Sequence, residues 1–275
     1  MSTVLLTGAS GLLGQWLVAT APPGTTVVAL THRCRVPELP EVHADLRDAR
    51  STMSAVQRAD PSLIIHAAYA QDRGAIVDAT EHVVAGAREV AAGVVFISTD
   101  AVFCGDGNAR DERSDPDPVW DYGRWKAQAE RNVVERSDRA AIVRLPLLVS
   151  VDPDDHVVRE IRAGAARGEP TRWFTDESRQ PAPAHEVAAA VWRIADLDAD
   201  VRGGTWHLPG SERLTRYEIA RRVVDRLGLS PGVVEAGVTP EGAVRPRDLV
   251  FTGARARTEI DWSPSPVLSG RELQG

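Results

Sequence analysis

Lysine is nearly missing from this sequence: of 32 basic residues only Lys126 is a lysine, and the others are all arginines. Cysteine is almost as scarce. Cys34 and Cys104 are too few for a disulfide framework or a cysteine-rich zinc site, and a reducing, cytoplasmic location is expected. No metal site is expected either, since the seven histidines lack ligand spacing. There is no excess of positive charge. The formal net charge is −7, without a basic stripe, which argues against a nucleic-acid partner or an anionic membrane surface. No apolar run reaches the roughly 18 to 20 residues of a membrane span. Ser2-Thr3-Val4-Leu5-Leu6-Thr7 reads as a first strand, with no basic leader before it.

What remains is a chain of 275 residues, 43% hydrophobic and 26% charged, with ample material for a core. Its length suits one large α/β unit, or a domain with a smaller companion. Short apolar, β-rich runs at 3–7, 26–30, 41–44, 63–66, 94–98 and 140–145 alternate with helical patterns at 12–20, 49–59, 73–91 and 122–137. That alternation predicts βαβ units and a doubly wound parallel sheet. Residues 104–119 read as a long irregular loop, of the kind that is more often functional than decorative. Beyond about residue 150 the rhythm loosens. Helices are expected at 157–167, 184–195 and 214–227, a strand at 205–208, and loop-rich stretches at 168–183 and 231–250. The expected division is a dinucleotide-binding domain at 1–150 and a smaller substrate lobe at 151–275, with segments exchanged across the boundary.

The first strand runs directly into Thr7-Gly8-Ala9-Ser10-Gly11-Leu12-Leu13-Gly14 and then a helix. Glycines at this spacing let the backbone turn tightly and approach a pyrophosphate, whose charge meets the helix N-terminus. The second strand ends in Leu30-Thr31-His32-Arg33, with no acidic residue for the ribose hydroxyls of NAD. Arg33 stands where a cation meets a 2′-phosphate, so NADPH is favoured over NADH. Asp45 and Leu46, after the third strand, lie beside the adenine or simply cap a helix.

Tyr122-Gly123-Arg124-Trp125-Lys126 sets a phenol and the sole ammonium one helical turn apart. A nearby cation lowers a phenol's pKa, equipping it to exchange a proton with a substrate oxygen. Upstream, the buried strand ending Phe96-Ile97-Ser98-Thr99-Asp100 places Thr99 at a carboxyl end, where doubly wound sheets bind ligands. Thr99 is the candidate to polarise a carbonyl beside Tyr122. In the later half, Arg179 and Arg245 are candidates for a substrate diphosphate. Trp120, next to Tyr122, is a candidate pocket wall.

With these residues in view, the sequence resembles the extended short-chain dehydrogenase/reductases, and within them the dTDP-4-dehydrorhamnose reductase-like branch. The carriers are the Thr7–Gly14 turn, His66-Ala67-Ala68, Ser98-Thr99-Asp100-Ala101-Val102-Phe103 and Tyr122-Gly123-x-x-Lys126, with Gly204-Thr205-Trp206-His207-Leu208, Leu214-Thr215-Arg216-Tyr217-Glu218 and Arg245-Pro246 further on. The resemblance implies a Rossmann-type fold and a Thr99–Tyr122–Lys126 triad. It also implies cofactor contacts from Ala67, Ala68 and Tyr69 as well as from the turn, and substrate contact at Asp100. The chain departs from the branch at Ala101, where tyrosine is common, and at 144–150, which lacks an aromatic.

The expected function is NADPH-dependent reduction of a keto group on a nucleotide-activated, dTDP-type deoxysugar. Three alternatives stay open: a sugar-nucleotide epimerase, a reductase of a non-nucleotide natural-product ketone, and a non-catalytic nucleotide-binding regulatory subunit. A homodimer is left open. Dehydration is disfavoured, because related dehydratases carry an acidic residue where this chain has Ala101.

Overall fold

The computed structural model describes residues 2–137 and 139–268. Its centre is a seven-stranded sheet, all parallel, in the order Gly204–His207, Ala141–Leu145, Gly93–Thr99, Leu63–His66, Thr3–Thr7, Thr26–Thr31, Glu41–His43. The chain starts in the middle, runs to one edge and then crosses to the other side. The reversal falls between Thr3–Thr7 and Leu63–His66, and it opens the crevice in which such sheets bind ligands. Helices cover both faces, which is why these strands are continuous apolar runs. Successive residues serve opposite cores: Leu6 and Ile65 pack with Leu17, Trp192 and Trp206, whereas Leu5 and Ile64 pack with Val56, Val83 and Val133.

Segments cross between the two parts of the molecule in both directions. The strand Gly204–His207 and the helix Ala184–Asp196 return to the large sheet, where the Trp192 indole donates to the Leu17 carbonyl at 2.9 Å. Conversely Asp106–Arg110 leaves it. This strand pairs with Asp248–Phe251 at the edge of a second sheet that also holds Ser178–Arg179 and Leu214–Thr215. The smaller lobe has its own core of Val158, Ile161, Trp173, Val223 and Val224.

Four expectations change on this evidence. Residues 104–119 are not wholly irregular, because Asp106–Arg110 is a strand made by backbone pairing, with no apolar alternation to announce it. The stretches 168–183 and 231–250 likewise contain strands, Thr171–Phe174 pairing with Val234–Gly237. The helix expected from 214 begins at Arg216: Leu214 and Thr215 are in the small sheet, and Thr215 with Glu218 forms a capping box. The pattern read over 73–91 opens with a π turn, Gly74–Asp78, before the α-helix Ala79–Glu89.

A buried ionic network ties the helix Asp121–Arg136 to three strands. Arg144 grips Glu130 through Nε and Nη2, Ser98 donates its hydroxyl to Glu130, and Arg144 donates to His207 Nε2 at 3.3 Å. His207 Nδ1 in turn donates to the Thr252 carbonyl. Removing one partner of a buried pair leaves an uncompensated charge. Glu130→Ala is therefore expected to cost about 3–5 kcal/mol of stability, read as a shift of the denaturant midpoint. A loss well under about 1 kcal/mol would show that the network contributes little.

Candidate active site

The crevice is built from the ends of the two central strands. Thr7 Oγ1 accepts the main-chain N–H of Ala67 and Ala68, at 3.1 and 3.0 Å, and hydrogen-bonds His66 Nδ1 at 2.7 Å. With both lone pairs of Thr7 occupied, its proton goes to His66 Nδ1, leaving the His66 Nε2–H for Thr80 Oγ1 at 3.2 Å. Burial holds His66 neutral, with its pKa depressed to about 3. Across the switch point Gly8 adopts φ +75°, and a Cβ there would lie 2.7 Å from Ala68 N. A Cβ on Gly14 would lie 2.1 Å from the Gly8 carbonyl oxygen. The helix Leu12–Ala19 starts at Gly11 without a side-chain cap, so its first N–H groups are open to an anion. Ser10, Leu12 and Leu13 lie in this cradle, which suits a dinucleotide pyrophosphate.

At the end of the second strand His32 and Arg33 are exposed. His32 Nε2 is 3.9 Å from Asp45, whose carboxylate is clasped by the Arg47 guanidinium and main-chain N–H. Those bonds hold Asp45 well below the usual carboxylate range. Asp45 is not the helix cap; Asp48 is, accepting from Ser51 N–H. The Leu46 carbonyl accepts from His82 Nδ1 at 2.8 Å.

The structure brings Thr99, Tyr122 and Lys126 together at the carboxyl end of Gly93–Thr99. Gly123 makes this possible: a Cβ there would lie 2.2 Å from the Ala101 carbonyl oxygen, so helix and strand end approach closely. The Tyr122 ring packs edge-on to Trp120 at 5.5 Å and lies 6.1 Å from the exposed Tyr69. Lys126 is 5% exposed; its Nζ donates to the Ile97 carbonyl at 2.9 Å and sits 4.8 Å from the Phe96 ring centre. Burial lowers the Lys126 pKa to about 8, against the pull of Glu130. Burial also raises the Tyr122 phenol above its ordinary value, with Tyr69 and Asp100 adding to the rise and a hydrogen bond with Thr99 opposing it. The expected acidification of the phenol by lysine is not what the site shows: desolvation dominates and raises the pKa. A phenol that keeps its proton at neutral pH is a proton donor.

Asp100 follows Thr99 and is equally buried within this wall. Burial raises its pKa to about 6, although Arg179 and Arg216 oppose the rise. On the lobe side Arg179 is committed: Nη1 donates to the carbonyls of Ser178 and Arg247, and Nη2 to that of Pro246. That leaves it poorly placed for the bidentate anion contact expected of it. Arg245 lies 2.8 Å from the fully buried Glu177 and over the Phe174 ring. Sequence reasoning missed Arg216, which donates to His156 Nε2 at 2.9 Å and stacks on Trp173. Burial and the neighbouring Arg179 and Arg245 lower its pKa to about 10. Nothing in an arginine-rich sequence marks it except its place just after the cap Thr215. Among the described residues no cluster of three or more His, Cys, Asp or Glu could hold a metal ion, and no helix is long and apolar enough to cross a membrane.

Known proteins share this architecture. The sequence model of the family described as RmlD substrate binding domain matches residues 1–266. Methionine adenosyltransferase 2 subunit beta of Bos taurus is 27% identical over 93% of this chain and 81% of its own length. A probable low-salt glycan biosynthesis reductase, Agl14, of Haloferax volcanii is 28% identical over 96% of this chain and 93% of its own. The crystal structure of dTDP-4-dehydrorhamnose reductase from Bacillus anthracis, in complex with NADP, matches with a TM-score of 0.81 at 24% identity. It covers 94% of this chain and 92% of that one, a likeness of fold.

The glycine geometry generates a direct expectation. Gly14→Ala forces a methyl into main-chain atoms that cannot yield, and should weaken dinucleotide binding at least ~10-fold in a fluorescence titration. Gly24→Ala, at positive φ but with nothing within 4 Å, is the control and should leave affinity unchanged. Equal affinities for both variants would remove the turn from the binding site.

Proposed function

Because this chain belongs to the RmlD substrate binding domain family, an oxidoreductase family of sugar-nucleotide reductases within the extended short-chain dehydrogenase/reductases, we propose that it reduces a keto group on a dTDP-type deoxysugar with NADPH. The observation that carries the reading is the convergence of Thr99, Tyr122 and the sole lysine at one strand end beside the uncapped Leu12–Ala19 helix. Residues 1–150 are taken as the cofactor domain and 151–275 as the substrate lobe, with the exchanged segments described above.

A bound nicotinamide supplies the hydride. The chain's own residues do the rest. The glycine turn and the helix N-terminus hold the pyrophosphate. Arg33, exposed and unmatched by any acidic residue at the strand end, meets the 2′-phosphate. His32, Asp45 and Leu46 border the adenine side, and Ala67, Ala68 and Tyr69 border the nicotinamide side. Lys126 orients the ribose. Thr99 and Tyr122 both address the substrate carbonyl oxygen, Tyr122 giving up its proton as the alcohol forms. Arg216 and Arg245, neighbours of each other and of Arg179, offer guanidinium to the substrate's diphosphate. Trp120 lines the sugar.

The relative from Bos taurus favours a second reading. Its name is that of an enzyme's subunit beta, which suits a nucleotide-binding protein that regulates a partner rather than turning over. NADPH oxidation with a dTDP-4-keto-6-deoxysugar separates the two, since a regulatory subunit would give none.

Two measurements test the chemistry. NADPH should bind at least ~10-fold tighter than NADH, about 1.4 kcal/mol, and Arg33→Ala should abolish most of that preference. Equal affinities in the unaltered protein would overturn the assignment of Arg33. Tyr122→Phe should cut kcat by ~10²-fold or more while leaving NADPH affinity nearly intact, because it removes the proton-donating hydroxyl and leaves the ring. A near-wild-type kcat would mean that the phenol is structural.

A further inference from the structure

Thr99 has one hydroxyl proton and two lone pairs, and its neighbours in the chain compete with a substrate for them. Its Oγ1 accepts from the Ala101 N–H at 3.2 Å and donates to Asp100 Oδ1 at 3.1 Å. The Tyr122 hydroxyl lies within hydrogen-bonding reach on the other side. Since the Thr99 proton is directed at Asp100, Tyr122 must be the donor in that contact. With Asp100 ionised, then, both hydroxyl protons that would address the substrate carbonyl point away from it: Thr99's at the carboxylate and Tyr122's at Thr99. Asp100 is 5% exposed, and its second oxygen, Oδ2, has no hydrogen-bond partner among the described residues. An unsatisfied buried carboxylate is costly, and nothing in the chemistry above uses it.

We propose that Asp100 is a positioning residue for the reduction, which in its protonated form donates to Thr99 Oγ1 and so turns the hydroxyl protons of Thr99 and Tyr122 toward the substrate carbonyl. The lone-pair count follows directly. Ala101 N–H and the Asp100 acid proton fill both acceptor sites of Thr99, which then donates its own proton outward. Tyr122, displaced as a donor to Thr99, presents its proton to the same oxygen. One proton is taken up by Asp100 from solvent, the Thr99–Asp100 hydrogen bond reverses, and the hydroxyl protons of Thr99 and Tyr122 turn outward.

The groups facing Asp100 come from three elements besides its own: Arg179 on the strand Ser178–Arg179, Arg216 at the start of the helix Arg216–Leu227, and Tyr122 on Asp121–Arg136. The arginines favour the carboxylate, whereas burial favours the acid and dominates, bringing the pKa to about 6. The productive acid form is therefore fully present well below that value and is lost as pH rises through it. An anionic substrate paired with Arg216 offsets part of the field that favours the carboxylate. Substrate and proton thus support each other's binding.

This rests on the reductase reading, so the experiment has one arm that needs no turnover. Infrared titration of the free protein should show a protonated-carboxyl band with a midpoint near the raised value, absent in Asp100→Asn. In Thr99→Val the midpoint should move up by at least ~0.3 units, about twofold in proton affinity, because the Thr99 hydroxyl bond favours the ionised form. In the second arm, kcat with a dTDP-4-keto-6-deoxysugar should fall as pH rises between about 5 and 8 in the wild type. It should be flat over the same range in Asp100→Asn. An Asp100 that stays ionised throughout, a Thr99→Val midpoint that does not move, or an Asp100→Asn profile that keeps the wild-type limb would each overturn the proposal. If no keto sugar is reduced at all, the functional reading fails, while the Thr99→Val midpoint still decides whether Asp100 and Thr99 are coupled.

Discussion

Everything at this site depends on one packing constraint, the seating of the helix Asp121–Arg136 on the end of the strand Gly93–Thr99. Three contacts spaced about one helical turn apart fix it. Gly123 lets the helix lie against the Ala101 carbonyl, Lys126 donates to the Ile97 carbonyl, and Glu130 accepts from Ser98. Because each contact reaches a different point of the same strand end, the helix can neither slide nor rotate without losing one. Tyr122, held within this clamp, meets Thr99 without a long, flexible linkage. Arg144 and His207 continue the clamp outward, joining it to the last two strands of the sheet. The geometry of the candidate site is therefore a property of the sheet and its helix rather than of loops, which is what precise positioning requires.

Much of this was legible in the sequence, and the reasons are local. A strand buried on both faces must be a continuous apolar run, so 3–7, 63–66 and 93–99 announce themselves. A phosphate turn needs glycine where a Cβ would strike main chain, and Gly8 and Gly14 are such places. Tyr122 and Lys126 share a helix face by spacing alone. What sequence could not reveal is set by tertiary neighbours. Asp106–Arg110 is a strand only because Asp248–Phe251 offers it partners. Arg216 matters only because Arg179, Arg245 and Glu177 are folded around it. The acidity of Tyr122 went the other way from expectation because spacing reports a nearby charge but not the water that burial removes.

The electrostatics of the lobe follow the same logic. The chain as a whole is acidic, yet the smaller lobe gathers Arg179, Arg216 and Arg245 around the fully buried carboxylate of Glu177. Like charges held this closely in a low-dielectric setting repel, and the lowered pKa of Arg216 records it. Under the proposed function, a ligand carrying two phosphates would relieve that repulsion on binding, which supports an anionic substrate over a neutral ketone.

The scarcity of lysine and the identity of residue 126 then have one physical account. Around the Lys126 nitrogen stand a single acceptor, the Ile97 carbonyl, and the rings of Phe96 and Tyr69 at 4.8 and 5.8 Å. An ammonium suits this setting: one donor is satisfied by the chain, the aromatic faces stabilise the charge, and the remaining donors point to where a ribose would lie. A guanidinium brings five donors in a rigid plane and cannot shed its charge. Most of those donors would meet apolar surface, and each one left unpartnered costs about 1–3 kcal/mol. Lysine, by contrast, tolerates the burial because its pKa can fall, here to about 8. In a chain that uses arginine everywhere else, lysine is kept at the one buried position where arginine's geometry and its permanent charge are both disqualifying.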